Sequence, residues 1–184
     1  FDGYIRYLNL DTATWSNLAG GTTILGTNAG IYDLELDTNV SNSVLITGGF
    51  ASINAGPRYV ARYDVAGGTY SQVGGGINYI DSTALARSIA QVGNRYFVGF
   101  SNVGNQKPLL VEINGAAAAT TSHWSTSGNW PYYYGGIKGV FDLRIDGTNL
   151  LVGGNFEDAG GSYPNFAIFD TSSPTVHASS AWSS

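Results

Sequence analysis

The 184-residue sequence contains no cysteine, no methionine and only two lysines, Lys107 and Lys138. Without cysteine there can be no disulfide, no thiolate metal site and no cysteine nucleophile. No apolar run approaches the eighteen or so residues that a membrane-spanning helix needs. Only 11% of the residues are charged, and the formal net charge is −5. A chain with this charge would repel a phosphate backbone, so we do not expect a nucleic-acid partner.

Glycine and aromatic residues are abundant, with 26 glycines, 12 tyrosines, 8 phenylalanines and 4 tryptophans. This composition favours short strands and tight turns over long surface helices, so we predict an all-β fold. A chain rich in Gly, Ser, Thr, Asn and Tyr and poor in Lys is typical of extracellular, cell-surface or particle-surface proteins. The sequence begins at Phe1, and we expect it to be either processed or an excerpt from a longer polypeptide.

Three features recur along the chain. The first is an apolar strand followed by glycine and an aromatic residue, at 44–50, 96–100 and 150–156. The second is a strand that closes on Asp11, Asp64, Asn114 or Asp170, so that the closing residues lie 53, 50 and 56 positions apart. The third is an aromatic residue followed by serine, at Trp15, Tyr70, Trp124 and Trp182. These spacings are close to the length of one four-stranded propeller blade.

Turn residues divide each repeat. Gly93-Asn94 and Asp146-Gly147 are flanked by alternating apolar positions, so each pair is predicted to join two antiparallel strands. The aspartates at predicted strand ends are expected to cap turns by accepting hydrogen bonds from nearby backbone. These residues are Asp37, Asp64, Asp146 and Asp170.

The repeat resembles that of kelch and galactose-oxidase-like β-propellers, through Arg87-Ser88, the pairs Gly48-Gly49 and Gly153-Gly154, and Tyr63-Asp64 followed by Tyr70. It is most similar to the glycine-rich repeats of bacterial surface, cortical-marker and phage-type proteins, in which a Gly-Gly-x-Phe turn precedes an Ala-Arg-Tyr-Asp strand. The resemblance implies a β-propeller of four-stranded antiparallel blades. It does not extend to the galactose oxidase cofactor, which needs a Cys cross-linked to Tyr, and we predict no cofactor.

The phase of the repeat predicts a single partial propeller over residues 1–184, with about 3.5 blades. A half blade made of two outer strands occupies 1–18, and whole blades occupy 31–73, 87–126 and 139–182. A propeller needs about four blades to close. The missing blades must come from a longer polypeptide, which we favour, or from a second copy of the chain.

The candidate binding residues are clustered around one predicted loop: Trp124, Asn129, Trp130, Tyr132, Tyr133 and Tyr134. Aromatic faces beside amide and hydroxyl groups suit sugar rings or a protein partner. The alternative that Trp130 and the tyrosines pack between neighbouring blades stays open, because large aromatic side chains are mostly buried.

Catalytic and metal sites have little support in the sequence. His123 and His177 lie near outer strands, which does not favour a shared metal site. Asp33 with Glu35, and Asp142 with Asp146, could share a strand face and suit glycoside hydrolysis. No nucleophile, base and orienting group can be grouped with them. We therefore predict a non-enzymatic structural or recognition module on an extracellular, cell or phage particle surface; the alternatives are a carbohydrate-binding propeller using the Trp130–Tyr134 loop and a propeller hydrolase.

Overall fold

The structure is a computed structural model that describes residues 6–17, 24–25, 30–77, 84–101, 108–115, 120–125, 139–155 and 165–172. These residues form strands and turns. The strands are β1 (Arg6–Asn9), β2 (Thr14–Asn17), β3 (Ile24–Leu25), β4 (Ile31–Leu36), β5 (Ser43–Gly48), β6 (Ser52–Ile53), β7 (Val60–Asp64), β8 (Thr69–Gln72), β9 (Leu85–Val92), β10 (Arg95–Ser101), β11 (Pro108–Asn114), β12 (Thr120–Ser125), β13 (Gly139–Asp146), β14 (Asn149–Asn155) and β15 (Phe166–Asp170). The all-β prediction is confirmed. Within the described ranges, no helix has the length and apolar character needed to cross a membrane.

The larger strands fall into three consecutive antiparallel groups. The first group is β4-β5-β7-β8, the second is β9-β10-β11-β12, and the third is β13-β14-β15. The second and third groups belong to one seven-stranded sheet, because Ser101 of β10 pairs with Gly139 of β13. Strands β1 and β2 form a separate hairpin, and β3 pairs with β6. No sheet closes on itself in the described part of the chain.

Tight turns join the first two strands of the second and third groups. Gly93-Asn94 connects β9 to β10, and Gly147-Thr148 connects β13 to β14. Gly93 has φ of 53° and Gly147 has φ of 60°, in the left-handed region that glycine adopts without strain. The predicted antiparallel pairing at both turns is confirmed, although Asp146 is the last residue of β13 and pairs with Asn149.

Turn capping by aspartate is confirmed at three predicted positions. The side chains of Asp37, Asp64 and Asp170 each accept a hydrogen bond from the backbone N–H two residues further on, at 2.8–3.0 Å. In the β1–β2 hairpin the same bond is made to Asn9, by the N–H of Asp11. The capping residue of this hairpin is therefore Asn9, two positions before the strand end predicted at Asp11.

Each group begins with a bulged strand. The extra residues are Tyr32 in β4, Arg87 in β9 and Phe141 in β13, which lie 55 and 54 positions apart. The residues that follow the bulges, Asp33, Ser88 and Asp142, pair with Thr47, Gly99 and Gly153. The register therefore makes Asp33, Ser88 and Asp142 structurally equivalent.

The core lies between successive groups. In β5, Leu45 packs with side chains of the second group, whereas Ile46 belongs to a cluster on the opposite face of the first group. In β10, Val98 packs toward the first group and Phe97 toward the third. This alternation follows the period of two along a strand. As a result, the second group is buried on both of its faces, and burying each large apolar side chain contributes about 1.5–3 kcal/mol.

Glycine in the repeated strand permits close packing both between groups and within one group. A Cβ atom on Gly99 would lie 2.5 Å from Cγ1 of Val140 in the third group. A Cβ on Gly48 would meet the carbonyl oxygen of Gly30. A side chain at position 99 would therefore collide with Val140, and one at position 48 would collide with the backbone of Gly30.

Candidate functional site

The most regular polar feature is a chain of hydrogen bonds that runs across the first strands of the three groups; we call it the inner-strand seam, formed by Asp33, Ser88 and Leu143. Asp33 Oδ2 accepts the Ser88 hydroxyl at 2.9 Å and the backbone N–H of Ile89 at 3.0 Å. Ser88 Oγ in turn accepts the backbone N–H of Leu143 at 3.1 Å. One side chain in the second group thus contacts both neighbouring groups.

The two backbone bonds of the seam are equivalent. In each, the acceptor is a side-chain oxygen of the residue that follows the bulge, Asp33 in the first group and Ser88 in the second. The donor lies in the next group, one residue after the position equivalent to the acceptor. The donors, Ile89 and Leu143, are themselves equivalent because they pair with Val98 and Val152. The same contact therefore joins the first group to the second and the second to the third.

Burial makes the seam important for stability. Ser88 and the side chains of Ile89 and Leu143 are almost completely buried. A buried N–H that loses its acceptor costs about 1–3 kcal/mol, because water cannot replace the lost bond. If the groups were spaced differently, the N–H groups of Ile89 and Leu143 would therefore lose their acceptors.

A second polar cluster joins the first and second groups; it consists of Asp37, Arg62, Gln91 and Tyr96. Arg62 Nε donates to Asp37 Oδ2 at 2.6 Å, and Arg62 Nη2 donates to the Tyr96 hydroxyl at 3.0 Å. Gln91 Nε2 donates to Asp37 Oδ1 at 3.3 Å, and Gln91 Oε1 accepts the N–H of Thr38 at 2.9 Å. The buried Asp37 carboxylate is thus paired with a cation and hydrogen-bonded, as a buried charge requires.

Arg95 makes the corresponding polar contact between the second and third groups. Its guanidinium binds both oxygens of Glu112 at 2.6 and 2.9 Å, and it also donates to the carbonyl of Thr171 in the turn after β15. The hydrogen bond to Glu112 raises the pKa of Arg95, against the opposing effect of burial. Arg95 therefore stays a cation and holds the end of the third group against β10.

The bulged residues of the first two groups also contact each other. The guanidinium carbon of Arg87 lies 4.3 Å from the centroid of the Tyr32 ring, and Arg87 Nε donates to Ser101 Oγ at 2.7 Å. A cation over an aromatic face contributes about 0.5–1 kcal/mol at a partly exposed site. This stacking fixes Arg87 at the edge of the seam.

The paired carboxylates considered from sequence have different environments. Asp33 belongs to the seam, whereas Asp142 is exposed and pairs with Arg144 at 3.2 Å. Asp146 is exposed at the end of β13. Glu35 is half-buried, and burial, followed by the nearby charge of Asp33, raises the pKa of its carboxyl group, while Arg144 acts in the opposite direction. Glu35 therefore keeps its proton to a higher pH than an ordinary glutamate does.

One of the predicted binding residues, Trp124, lies in the described part of the chain. Trp124 falls in β12, as does His123. Asn129, Trp130, Tyr132, Tyr133 and Tyr134 lie outside the described residues, and so does His177. In the ranges that the structure describes, no three His, Cys, Asp or Glu residues come together in a way that could hold a metal ion.

The sequence analysis missed the residues that join the groups, namely Ser88, Gln91 and Arg95. A signal for Ser88 was present, since it occupies the position of Asp33 and Asp142 once the bulges are aligned. Asp33, Ser88 and Asp142 each offer a side-chain oxygen at this position. Gln91 and Arg95 carry no such signal, because their partners are distant in sequence.

The comparisons with protein-family models and curated proteins assign no family to this chain. Neither the protein-family models nor the curated proteins searched gave a match to this chain.

Replacing Ser88 with alanine removes the acceptor of the Leu143 N–H and one donor to Asp33. We expect Ser88→Ala to lower the free energy of unfolding by about 1–3 kcal/mol and to speed hydrogen exchange at the Leu143 amide. Ser71→Ala, at an exposed position of β8, is the matched control and should change stability by less than about 0.5 kcal/mol. Equal exchange at Leu143 in wild type and Ser88→Ala would contradict the role of the seam.

The raised pKa of Glu35 predicts a pH dependence of stability. The folded state holds this proton more tightly than the unfolded state, so the free energy of unfolding falls as pH rises from the ordinary value of 4.5 through the raised pKa. Glu35→Gln should therefore have a higher melting temperature than wild type at pH 7, and the two should converge below pH 4.5.

Glu112→Gln is the control for this experiment. It should lower the melting temperature at pH 7, because Glu112 forms an ion pair with Arg95. A Glu35→Gln variant that is less stable than wild type at pH 7 would show that ionised Glu35 is stabilising instead.

Proposed function

We propose that this chain is part of a β-propeller that acts as a non-enzymatic structural or recognition module on an extracellular, cell or particle surface. The observation that carries the proposal is the recurrence of the seam contact at equivalent positions, from Ile89 to Asp33 and from Leu143 to Ser88. Equivalent contacts between successive units favour the same relative placement of the units at each step. Repeated rotation about one axis is how propeller blades are arranged.

The β1–β2 hairpin supports a further unit before the first group. Its pairing of Asn9 with Thr14 matches the pairing of Asp64 with Thr69 in β7 and β8, and the two turns are capped in the same way. Trp15 occupies the position of Tyr70, since they pair with Leu8 and Tyr63 respectively. The hairpin thus has the form of two outer strands of a blade.

The polar residues of the described part are used mainly to join groups. Asp33 and Asp37 bind partners across the group boundary, and Asp64 and Asp170 cap turns. These contacts give four of the carboxylates a structural role. A rigid scaffold of this kind presents its loops for binding, which favours recognition or structure as its role.

Spin labels can test the propeller arrangement directly, because the chain has no cysteine of its own. We would introduce cysteine in pairs at the exposed turn residues Ser41, Asn94 and Thr148, one per group, and measure the distances by pulsed electron resonance. The distances between neighbouring labels should be equal within the label width. The 41–148 distance should be clearly shorter than twice that value, because the units turn about an axis.

A 41–148 distance equal to twice the neighbour distance would indicate a straight stack and contradict the propeller. Pairs placed within one group, at Ser41 and Ala66, report whether the labels themselves disturb the strands.

Carbohydrate binding is a second candidate, favoured by the aromatic sequence at 130–134. If this loop binds sugars, Trp130→Ala should abolish binding on a glycan array, because stacking on an aromatic face is lost. Trp15→Ala is the control, since Trp15 is a largely exposed tryptophan in the β1–β2 hairpin. Wild-type chain that binds no glycan, or equal binding by Trp130→Ala, would contradict this candidate.

A further inference from the structure

Two half-buried arginines in the described part of the chain are stacked on tyrosine rings instead of being paired with carboxylates. Three other arginines of the strand groups form ion pairs with carboxylates, namely Arg62, Arg95 and Arg144. The guanidinium carbons of Arg58 and Arg87 lie over the rings of Tyr59 and Tyr32, at 4.7 and 4.3 Å from the ring centroids. Each of these two cations is held in place by stacking, and no carboxylate of the described residues pairs with it.

The Arg58 guanidinium also contains a donor that lacks an acceptor. Its Nε atom is buried and has no hydrogen-bond partner among the described residues, although buried polar groups in proteins are nearly always hydrogen-bonded. Arg58 as a residue is only partly buried, so an anion can approach it from solvent. The attraction between them is stronger than at a fully exposed arginine, because less water screens the charge.

Both arginines lie at the same end of the boundary between the first and second groups. Arg58 comes just before β7, and the ring of its neighbour Tyr59 packs edge-on against Phe100, with the ring centroids 5.6 Å apart. Arg87 Nε donates to the hydroxyl of Ser101, which follows Phe100 at the end of β10. Phe100 and Ser101 therefore bring the two cations to one edge of the boundary.

The repeat itself requires neither arginine. The strand register gives Arg58 a position that is proline in the other two groups, at 108 and 164. Arg87 takes the bulge position that carries an aromatic residue in the other two groups. These groups are thus built without a cation at either position. Residues that depart from a local pattern are expected at functional sites.

The backbone at Tyr59 is strained, which supports a functional role for this edge. Tyr59 has φ of 62°, and the N–H of Val60 donates to the carbonyl of Arg58 at 2.7 Å across a tight three-residue turn. The equivalent residue of the third group is Asn165, which has φ of 72°. Asparagine adopts this conformation readily, whereas a bulky residue does so only under strain. Tyrosine at this position is therefore explained by its stacking with Arg58 rather than by the turn.

We propose that Arg58 and Arg87 form a binding site for the carboxylates of an acidic oligosaccharide. The planar fork of a guanidinium group matches the two oxygens of a carboxylate. The inference deepens the proposed recognition role and rests on it, because it names the class of ligand that the surface recognises.

The charge and the rigidity of the site favour an acidic saccharide over other anions. The chain has a net charge of −5, and Asp33 binds Ser88, the residue that follows Arg87. These negative charges disfavour a densely charged ligand such as a phosphate backbone, whereas a saccharide carries its carboxylates on otherwise neutral rings. The two cations are already immobilised by stacking, so little side-chain entropy is lost when they bind. A saccharide ring also holds its carboxylate rigidly, whereas an acidic peptide loses backbone freedom on binding.

Titration calorimetry with a tetrasaccharide of alternating glucuronate and N-acetylglucosamine tests the proposal. The wild-type chain should bind this probe, and binding should weaken as salt is added. Arg58→Gln and Arg87→Gln should each weaken binding about tenfold or more, because each removes a charge-assisted contact to a carboxylate. Arg6→Gln is the matched control and should bind like wild type, since Arg6 is an exposed arginine in β1.

Lysine variants separate the guanidinium fork from charge alone. Arg58→Lys and Arg87→Lys keep the charge but cannot form two parallel hydrogen bonds, so they should bind more weakly than wild type and more tightly than the glutamine variants. In a nitrogen-labelled wild-type chain, the Nε–H signals of Arg58 and Arg87 should shift during the titration. Circular dichroism and the melting temperature establish that each variant is folded.

A wild-type chain that does not bind the acidic tetrasaccharide, or that binds a neutral N-acetylglucosamine tetrasaccharide equally well, would overturn the proposal. So would folded Arg58→Gln and Arg87→Gln variants that bind like wild type. Tighter binding of a tetraglutamate peptide would show that the site takes carboxylates from a protein, and it would overturn the saccharide assignment. Each of these results leaves the spin-label distances of the propeller unaffected. A straight stack in those distances would contradict the propeller whatever the chain binds at Arg58 and Arg87.

Discussion

The fold depends on the hydrogen bond that an inner-strand backbone N–H makes to a side-chain oxygen of the preceding group. Strands β4, β9 and β13 stand at the edge of their groups, and alternate N–H groups of an edge strand point away from the sheet. These donors need partners once the groups pack together. Asp33 and Ser88 supply them for Ile89 and Leu143. The bulges at Tyr32 and Arg87 precede the acceptors, and they locally twist and redirect the strand that carries them.

The apolar and polar contacts between groups have different roles. Burial of side chains such as Leu45, Phe97 and Val98 supplies most of the stability, and such burial has no direction. The contact between Asp37 and Arg62 adds little net stability, since pairing two charges has to offset the loss of their hydration. However, Asp37 also binds Gln91, and Arg62 also binds the Tyr96 hydroxyl, so a shifted second group would deprive this ion pair of its hydrogen bonds to the second group. The polar contacts therefore fix how the groups are placed relative to each other.

The sequence predicted what depends on short segments. Turn glycines such as Gly93 and Gly147, capping aspartates such as Asp64, and the all-β composition each act within a few residues. The joining contacts were not predictable in this way, because Thr38 and Gln91 are 53 positions apart and Arg95 and Thr171 are 76 apart. The bulges also make the joining contacts hard to predict, because one extra residue in a strand changes which side chains share a face. The candidate binding loop could be chosen only from its residue types, and Trp130 lies outside the described residues.

The seam also explains how the units of one repeat can differ so much in sequence. The acceptor position needs an oxygen at the right distance, and this is met by a carboxylate at Asp33 and by a hydroxyl at Ser88. Serine has one property that aspartate lacks: its hydroxyl donates to Asp33 while its oxygen accepts from Leu143. A second carboxylate at position 88 would face Asp33 at hydrogen-bond distance, and two like charges so close are unfavourable. An aspartate can therefore follow a serine across the boundary without this repulsion, whereas the contact disfavours two successive aspartates.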